Sequence, residues 1–419
     1  MTTFDFASLL LILAVGIGVA NEHTLRLPRP VALLLGSLVV LALIVVVDAM
    51  SGYAVREHLR ERIARAHLPQ VLLDGLLALL LFAGSLQIDL RALRRQALAV
   101  LALATGSVVL AAFLFAAGIW TVLYIVGEPV PPGWCLVIGA VLAPTDAVAV
   151  EGLLARVRLP PGLRETITGE SLFNDGAAVV LFAAALALVK GRMEMMGHGR
   201  LAEAILIEAS GGVMLGMAAG YLGYRIIRLT SDDNLATTVS LALALATYRV
   251  AVALDVSGPI AVVISGMVLG SALTRWSDAS DKRRTVLTFW PFVDETLNTL
   301  LYLLIGFEVL AIDFSWQALI AVVVAVPLAL LARMLSVGVP LMILRVRHLW
   351  CATGIVTWAG LRGGISVALA LILPQTPYRN LLLTICFGVV IFSVVVQGLL
   401  LPRVAGALAA QSLPEPSTS

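Results

Sequence analysis

Two stretches of sequence decide the fold: GWCLVIGAVLAPTDAVAVEGLL at residues 133–154 and WCATGIVTWAGLRGGISVALALIL at residues 350–373. Each is long and apolar enough to cross a membrane as a helix. The first carries Pro144 in its middle, and the second carries clustered glycines around Arg362. Proline removes a backbone donor and clashes with the preceding turn, and glycine lowers the cost of unwinding. Both segments are therefore predicted to be membrane helices that are interrupted near their centres.

The rest of the chain agrees with a membrane location. Of its 419 residues, 60% are hydrophobic and 13% are charged, and the mean hydropathy is +1.01, far above that of a water-soluble domain. Apolar runs and short polar loops alternate in a way that predicts an all-α integral membrane protein with about 13 transmembrane helices. The interrupted segments are spans 5 and 12. A net charge of +2 without a clustered basic face argues against a nucleic-acid partner.

The two interrupted spans occupy equivalent places in the chain. Span 5 is fifth from the start and span 12 is fifth when counting begins at span 8, which predicts two inverted repeats joined by span 7. Interrupted segments at corresponding positions of two halves are typical of the binding site of secondary transporters. Lys and Arg are more frequent in the loops of one side, so the positive-inside rule predicts that the N-terminus lies outside and the C-terminus in the cytoplasm.

Span 5 places a carboxylate at its interruption. An ionisable group inside a span costs about 2.5–3.5 kcal/mol on insertion scales, so its presence points to a partner or a function. Pro144 suits the first position of a restarted helix. Thr145 and Asp146 would then lie in the first turn, where unpaired N–H groups and the helix dipole favour an anion. The alternative is that Asp146 only caps the break.

Span 6 begins with a dense polar motif, GESLFNDGAAVVLF at residues 169–182. Ser171 and Asp175 are four residues apart and share one helical face, while Glu170 and Asn174 form the neighbouring stripe. Two carboxylates, a hydroxyl and an amide at this spacing can line one small polar cavity. We expect that cavity to lie inside the membrane, because the apolar run continues unbroken after Asp175.

Two further spans contribute charged residues. Arg362 in span 12 cannot lose its charge in a protein, so we expect a buried ion pair with Glu170 that holds two helices in register. The alternative is that Arg362 extends its side chain to the membrane surface. In span 10, Asp294, Glu295 and Asn298 either line an attractive funnel at the cytoplasmic mouth or mark a hydrated helix end.

Five motifs resemble those of the monovalent cation/proton antiporters of the NhaP and NHE type, and they occur in that family's order over nearly the whole chain. The resemblance implies a homodimer in the cell membrane, with two crossed, discontinuous helices in each subunit. It also implies a dimerisation part (roughly 6–88 and 202–312) and a core (roughly 97–189 and 315–402). The motifs are APTDAVAV at 143–150, GESLFNDGAAVVLF at 169–182, SGPIAVVISGMVLG at 257–270, LNTLLYLLIGFEV at 297–309 and GLRGGISVALAL at 360–371.

The resemblance also implies which residues bind the ion. Asp175 matches the essential carboxylate that binds either the cation or the proton. Asp146 and Thr145 match residues beside it at the helix crossing, and Ser171 matches a further oxygen ligand. The Asp175, Asp146 and Ser171 side chains, the Thr145 carbonyl and water are therefore the expected ligands of a monovalent cation.

Other positions of the family pattern are matched or changed. Glu170 and Arg362 match a buried salt bridge, and Asn174 matches the pattern associated with electroneutral exchange. Ala83 and Val252 stand where many members carry acids, so the resemblance implies an ion affinity or selectivity that differs from that of those members. The long cytosolic tail of the family does not follow the last span, so no cytosolic regulatory domain is expected.

The chemistry of Asp175 predicts the mechanism. Burial disfavours the charged form of a carboxylate and a bound cation favours it, so Na⁺ and H⁺ compete for one group. If only Asp175 changes protonation, exchange is electroneutral, one Na⁺ for one H⁺. No cofactor beyond the transported ions and no enzymatic activity are expected. The alternatives are a K⁺/H⁺ antiporter of the same fold, a cation channel, which needs a filter motif not seen here, and an intramembrane hydrolase that pairs Asp146 with Asp175.

Overall fold

The computed structural model describes residues 3–51, 75–87, 97–155, 157–190, 198–275, 281–309, 315–346 and 348–411. Regular structure in these ranges is helical, without strands, which confirms the predicted all-α class. The helices are α1 (Thr3–His23), α2 (Arg29–Ser51), α3 (Leu77–Leu86), α4 (Ala97–Val126), α5 (Pro132–Val141), α6 (Ala147–Leu154), α7 (Leu163–Val189), α8 (His198–Leu229), α9 (Asp233–Ala253), α10 (Gly258–Arg275), α11 (Asp281–Val309), α12 (Trp316–Ile343), α13 (Leu349–Trp358), α14 (Gly364–Leu371) and α15 (Arg379–Ala410).

The described helices include 8 that are long and apolar enough to cross a membrane, namely α2, α4, α7, α8, α9, α10, α12 and α15. Four shorter apolar helices accompany them, namely α1, α3, α5 and α13. An integral membrane protein is thereby confirmed. The count of about 13 crossings, the crossing of the discontinuous helices and the inverted repeats stay predictions.

Both predicted interruptions are present. Residues 142–146 separate α5 from α6, residues 359–363 separate α13 from α14, and nearly all of them are buried. Unwound backbone inside a membrane must find hydrogen-bond partners within the protein. The two breaks meet this need partly through each other, because the Asp146 N–H donates to the Leu361 carbonyl at 2.7 Å.

Two helices contain π-helical turns next to these breaks, at Ala102–Ser107 in α4 and at Ser393–Gln397 in α15. Such turns are frequent at functional sites because they shift the helical register locally. Here each places a buried serine, Ser107 or Ser393, against an arginine of the site.

Helix α11 lies between two hydrophobic clusters. Trp290, in its first half, packs with buried residues of α3, α9 and α10. Residues 301–307 pack with buried residues of α2, α4, α5, α12, α14 and α15. The part of α11 between these anchors carries Asp294 and Asn298, and it faces the two cavities of the site.

Candidate ion-binding site

Asp146 is the N-cap of α6. Its backbone is extended (φ −81°, ψ 103°), and its Oδ1 accepts a hydrogen bond from the Ala149 N–H at 3.0 Å. The prediction that Pro144 is the first helical residue is wrong, because Pro144 lies in the unwound segment two residues before the cap. An aspartate cap satisfies an N–H that the helix start leaves unpaired, so the carboxylate stays at the positive end of the helix. Oδ2 of Asp146 accepts a hydrogen bond from the Tyr302 hydroxyl.

Arg362 binds the backbone of the first break and does not pair with an acid. Its Nη1 donates to the carbonyl oxygens of Ala143 and Pro144 at 2.7 and 3.0 Å, and its backbone N–H donates to Ser393 Oγ at 2.9 Å. The side chain is buried, so it does not extend to the membrane surface. The predicted ion pair with Glu170 is therefore wrong, since the carbonyls that unwinding freed are the acceptors that Arg362 reaches.

Glu170 pairs instead with Arg333 of α12. Arg333 Nη1 donates to Oε1 at 3.0 Å and Nη2 donates to Oε2 at 2.7 Å, a two-point contact between side chains that are 2% and 1% exposed. Charge-assisted pairs of this geometry are the strong ones. Arg333 Nη1 also lies 3.4 Å from Ser107 Oγ. The buried salt bridge that was expected on α7 is thus present with a different arginine.

Asn174 connects this ion pair to the first break. Its Nδ2 donates to Glu170 Oε1 at 2.9 Å and to Thr145 Oγ1 at 2.7 Å, while its Oδ1 accepts from the Thr145 N–H at 3.3 Å. Thr145 Oγ1 also lies 2.9 Å from Ser171 Oγ. An ionised carboxylate at position 174 could not donate either bond. The contacts therefore explain why an amide, which does not titrate, stands beside Asp175.

Asp175 lines a cavity of about 50 Å³ where the two breaks meet α7 and α11. It is 9% exposed, and no described residue donates a hydrogen bond to its carboxylate. Asp146 and Asp294 line the same cavity, and no Lys or Arg is found among its described lining residues. Ser366 lines it as well, with an Oγ that has no partner in the described part of the chain. Such a cavity can hold a cation and a few waters.

The four predicted ligands are close together but not equivalent. Thr145, Asp146 and Asp175 line the small cavity. Ser171 is not among its lining residues, and its hydroxyl instead contacts Thr145 Oγ1. Ser171 therefore reaches the cavity only through Thr145.

A second cavity of about 940 Å³ opens next to the first. Asp294 and Glu295 both line it, and the choice between an attractive funnel and a hydrated helix end stays a prediction. Glu295 also forms an ion pair with Arg29 at the start of α2. Asp294 and Asn298 line both cavities. We refer to the large cavity as the vestibule and to the small one as the inner cavity.

The sequence profile described as "Sodium/hydrogen exchanger, transmembrane" matches residues 9–406, nearly the whole chain. The chain belongs to the sodium/hydrogen exchanger family. This family member is 37% identical over 390 residues to the Na(+)/H(+) antiporter NhaP of Pseudomonas aeruginosa. The aligned region covers 90% of this chain and 91% of that relative. It is 31% identical over 414 residues to the Na(+)/H(+) antiporter NhaH of Halobacillus dabanensis, covering 94% and 96%.

The fold of this exchanger-family member is also found among solved structures. The sodium proton antiporter MjNhaP1 from Methanocaldococcus jannaschii at pH 8 matches with a TM-score of 0.74 and 20% sequence identity, over 99% of both chains. At this identity the likeness concerns the fold. Together with the apolar helices, these comparisons make the chain a multi-pass membrane protein.

Three residues of the site in this family member were not predicted as site residues. Arg333 is a charged residue inside an apolar helix, and that alone signals a buried partner. Tyr302 follows Asp294 and Asn298 at spacings of four, so the three side chains lie on one face of α11. Ser366 carries no such signal, because a serine inside an apolar helix usually bonds its own backbone.

Proposed function

We propose that this protein is a secondary active Na⁺/H⁺ antiporter in which Na⁺ and H⁺ compete for Asp175. One observation carries the proposal: the Asp175 carboxylate is buried at the meeting of the two breaks, and no described residue donates a hydrogen bond to it. A buried carboxylate without a partner is costly. Either a proton or a cation removes that cost, and the inner cavity has room for the cation.

The cation ligands are proposed from the oxygens around the inner cavity. The carboxylates of Asp175 and Asp146 supply charge, and the Thr145 carbonyl and the Ser366 hydroxyl supply neutral oxygens. Water completes the set. Unwinding makes the backbone carbonyl available, because it has left the helical hydrogen-bond ladder. Ser171 takes a supporting role through its contact with Thr145.

Electroneutral exchange, one Na⁺ for one H⁺, follows from the neighbours of Asp175. Glu170 accepts two charge-assisted bonds from Arg333, so both of its oxygens are already bound to a fixed cation. Asn174 cannot titrate. Asp146 accepts bonds from the Ala149 N–H and the Tyr302 hydroxyl, so each of its oxygens already has a donor. Asp175 is then the group that changes protonation during the cycle.

The larger arrangement belongs to the same proposal. The core, roughly 97–189 and 315–402, moves relative to the dimerisation part, roughly 6–88 and 202–312, and carries Asp175 between the two sides of the membrane. Two copies form a homodimer in the cell membrane, with the N-terminus outside and the C-terminus in the cytoplasm. The vestibule, which includes the α1–α2 loop, then opens to the cytoplasm. The protein transports ions and is not an enzyme.

Purified protein in liposomes with an imposed pH gradient tests the function. Na⁺, Li⁺ and K⁺ are added in turn, with and without a clamped membrane potential. We expect Na⁺ to dissipate the gradient at a rate that the clamp does not change, and we expect Asp175→Asn to abolish the response. A membrane potential that drives Na⁺ uptake without a pH gradient would contradict electroneutral exchange. A response to K⁺ but not to Na⁺ would show that the transported cation is K⁺.

A further inference from the structure

The junction between the vestibule and the inner cavity is polar on one side only. The described residues that line both cavities are Gly84, Leu172, Asp294 and Asn298. A Cβ atom on Gly84 would lie 3.4 Å from Leu172 Cδ1, so α3 and α7 close one wall with apolar groups. The other wall is the face of α11 that carries Asp294 and Asn298. Of these four residues, only Asp294 and Asn298 have side-chain oxygens to offer to a passing cation.

Asp294 is held in a defined orientation at this junction. It is 5% exposed, and the Asn298 Nδ2 donates to its backbone carbonyl at 3.0 Å and to its Oδ1 at 3.1 Å. Asp294 Oδ2 and Asn298 Oδ1 have no hydrogen-bond donor among the described residues. An amide–carboxylate pair at this spacing could serve helix stability alone. A purely structural pair, however, would gain nothing from burial beside two cavities, where an ionised carboxylate is costly.

The inner cavity independently points to a cation. Ser366 is 1% exposed and lines the inner cavity, and its Oγ has no partner in the described part of the chain. Asp175 lies in the same wall without a donor. A cation that reaches these oxygens from the vestibule must shed water at a junction whose opposite wall is apolar. Carboxylate and amide oxygens lower the cost of that step by replacing water ligands.

We propose that Asp294 and Asn298 form a transient cation-binding site through which Na⁺ passes from the vestibule to Asp175. The inference rests on the proposed antiport, and it assigns Asp294 a different role from Asp175. Asp294 attracts and partly dehydrates the cation, which raises its local concentration at the inner cavity. Asp175 remains the group that exchanges the cation for a proton. The site therefore sets the apparent affinity for Na⁺ more than the maximal rate.

Asp294→Asn tests this site in liposomes containing the full-length protein, with Glu295→Gln as the matched control. Glu295 is the adjacent acid, lines the vestibule but not the inner cavity, and is paired with Arg29. Removing one unit of charge near a partly dehydrated Na⁺ should raise the KM for Na⁺ roughly ten-fold. We expect kcat to stay within about two-fold of that of the unmodified protein, and we expect the KM of the Glu295→Gln variant to change little.

Two further variants keep the test decisive if Asp294→Asn fails to fold. Asp294→Glu keeps the charge and should keep a low KM, while Asn298→Leu removes the amide oxygen and should raise the KM. An Asp294→Asn variant with the KM of the control, or one that loses kcat at unchanged KM, overturns the transient site. If the unmodified protein exchanges Na⁺ for H⁺ and Asp175→Asn does not, the proposed function stands even when the transient site fails.

Discussion

The buried ion pair between Glu170 and Arg333 gives the sharpest test of the packing around the site. Glu170→Gln leaves the Arg333 guanidinium without a counter-charge, and Arg333→Met leaves the Glu170 carboxylate without one. Both side chains are almost completely buried. Removing one partner of a buried pair costs about 3–5 kcal/mol, because the other charge stays desolvated. Each single variant should lose about that much stability.

The double variant Glu170→Gln with Arg333→Met should recover much of the loss, because it leaves no unpaired charge. Replacing both partners of a buried pair by neutral groups is often close to neutral for stability. Arg362→Met provides the comparison. It leaves the carbonyls of Ala143 and Pro144 short of a donor and should cost about 1–3 kcal/mol. Its coupling to Glu170→Gln should be clearly smaller than that of Arg333→Met, because Arg362 and Glu170 share no hydrogen bond and interact only through their charges.

Thermal stability of the purified proteins is followed as the fraction that stays monodisperse after heating. Comparing the single and double variants then gives the coupling of Glu170 to each arginine. The Na⁺ concentration and pH are kept fixed, because a bound ion stabilises the folded state by mass action. Strong coupling of Glu170 to Arg333 and weak coupling to Arg362 is the expected result. The reverse order would refute the assignment of the ion pair and return it to the arginine that the sequence motif favoured.

Two further substitutions test the contacts of Asp146. Tyr302→Phe removes the hydroxyl that donates to the Asp146 carboxylate and should cost about 1.5–3 kcal/mol of stability. The control is Tyr124→Phe at an exposed tyrosine, which should cost less than about 0.5 kcal/mol. Equal losses would show that the Tyr302 hydroxyl contributes nothing. Gly363→Ala would place a Cβ 2.7 Å from Asp146 Cβ and 2.8 Å from its Cγ, so the breaks must move apart and Na⁺-driven proton transport should fall roughly 100-fold. Gly406→Ala, which meets open space, is the control, and normal transport by Gly363→Ala would contradict the close packing of the breaks.

The interruptions of the two membrane helices could be predicted because they depend on local backbone chemistry. Pro144 and the glycines of residues 360–364 each weaken the helix at their own position, and the breaks lie where those residues lie. The polar stripe of α7 could be predicted from helical spacing, but of its four polar residues only Asp175 lines the inner cavity.

The partners of the arginines could not be predicted in the same way. Arg333 and Arg362 both lie inside apolar segments, and each needs a buried acceptor. Sequence spacing does not show which arginine faces Glu170, because the pairing depends on how α7, α12 and the second break pack together. Unwinding also creates acceptors of its own, and the carbonyls of Ala143 and Pro144 take Arg362 away from Glu170.

Asp146 was predicted in the first turn of α6 and is instead the N-cap of that helix. The helix begins at Ala147, three residues after Pro144, because the residue that caps it is the aspartate itself. Its Oδ1 is bonded to the helix start and its Oδ2 to Tyr302. The polar face of α11 that carries Tyr302 could have been predicted, since Asp294, Asn298 and Tyr302 repeat at a spacing of four.

Proton release on addition of Na⁺ tests the competition at Asp175 most directly. Purified protein in weakly buffered detergent solution is titrated with NaCl while a pH indicator follows the solution, and choline chloride controls for ionic strength. We expect Na⁺ to release protons from the unmodified protein and not from Asp175→Asn, which should remain folded because asparagine is close to isosteric with aspartate. Proton release from Asp175→Asn equal to that of the unmodified protein would contradict the account.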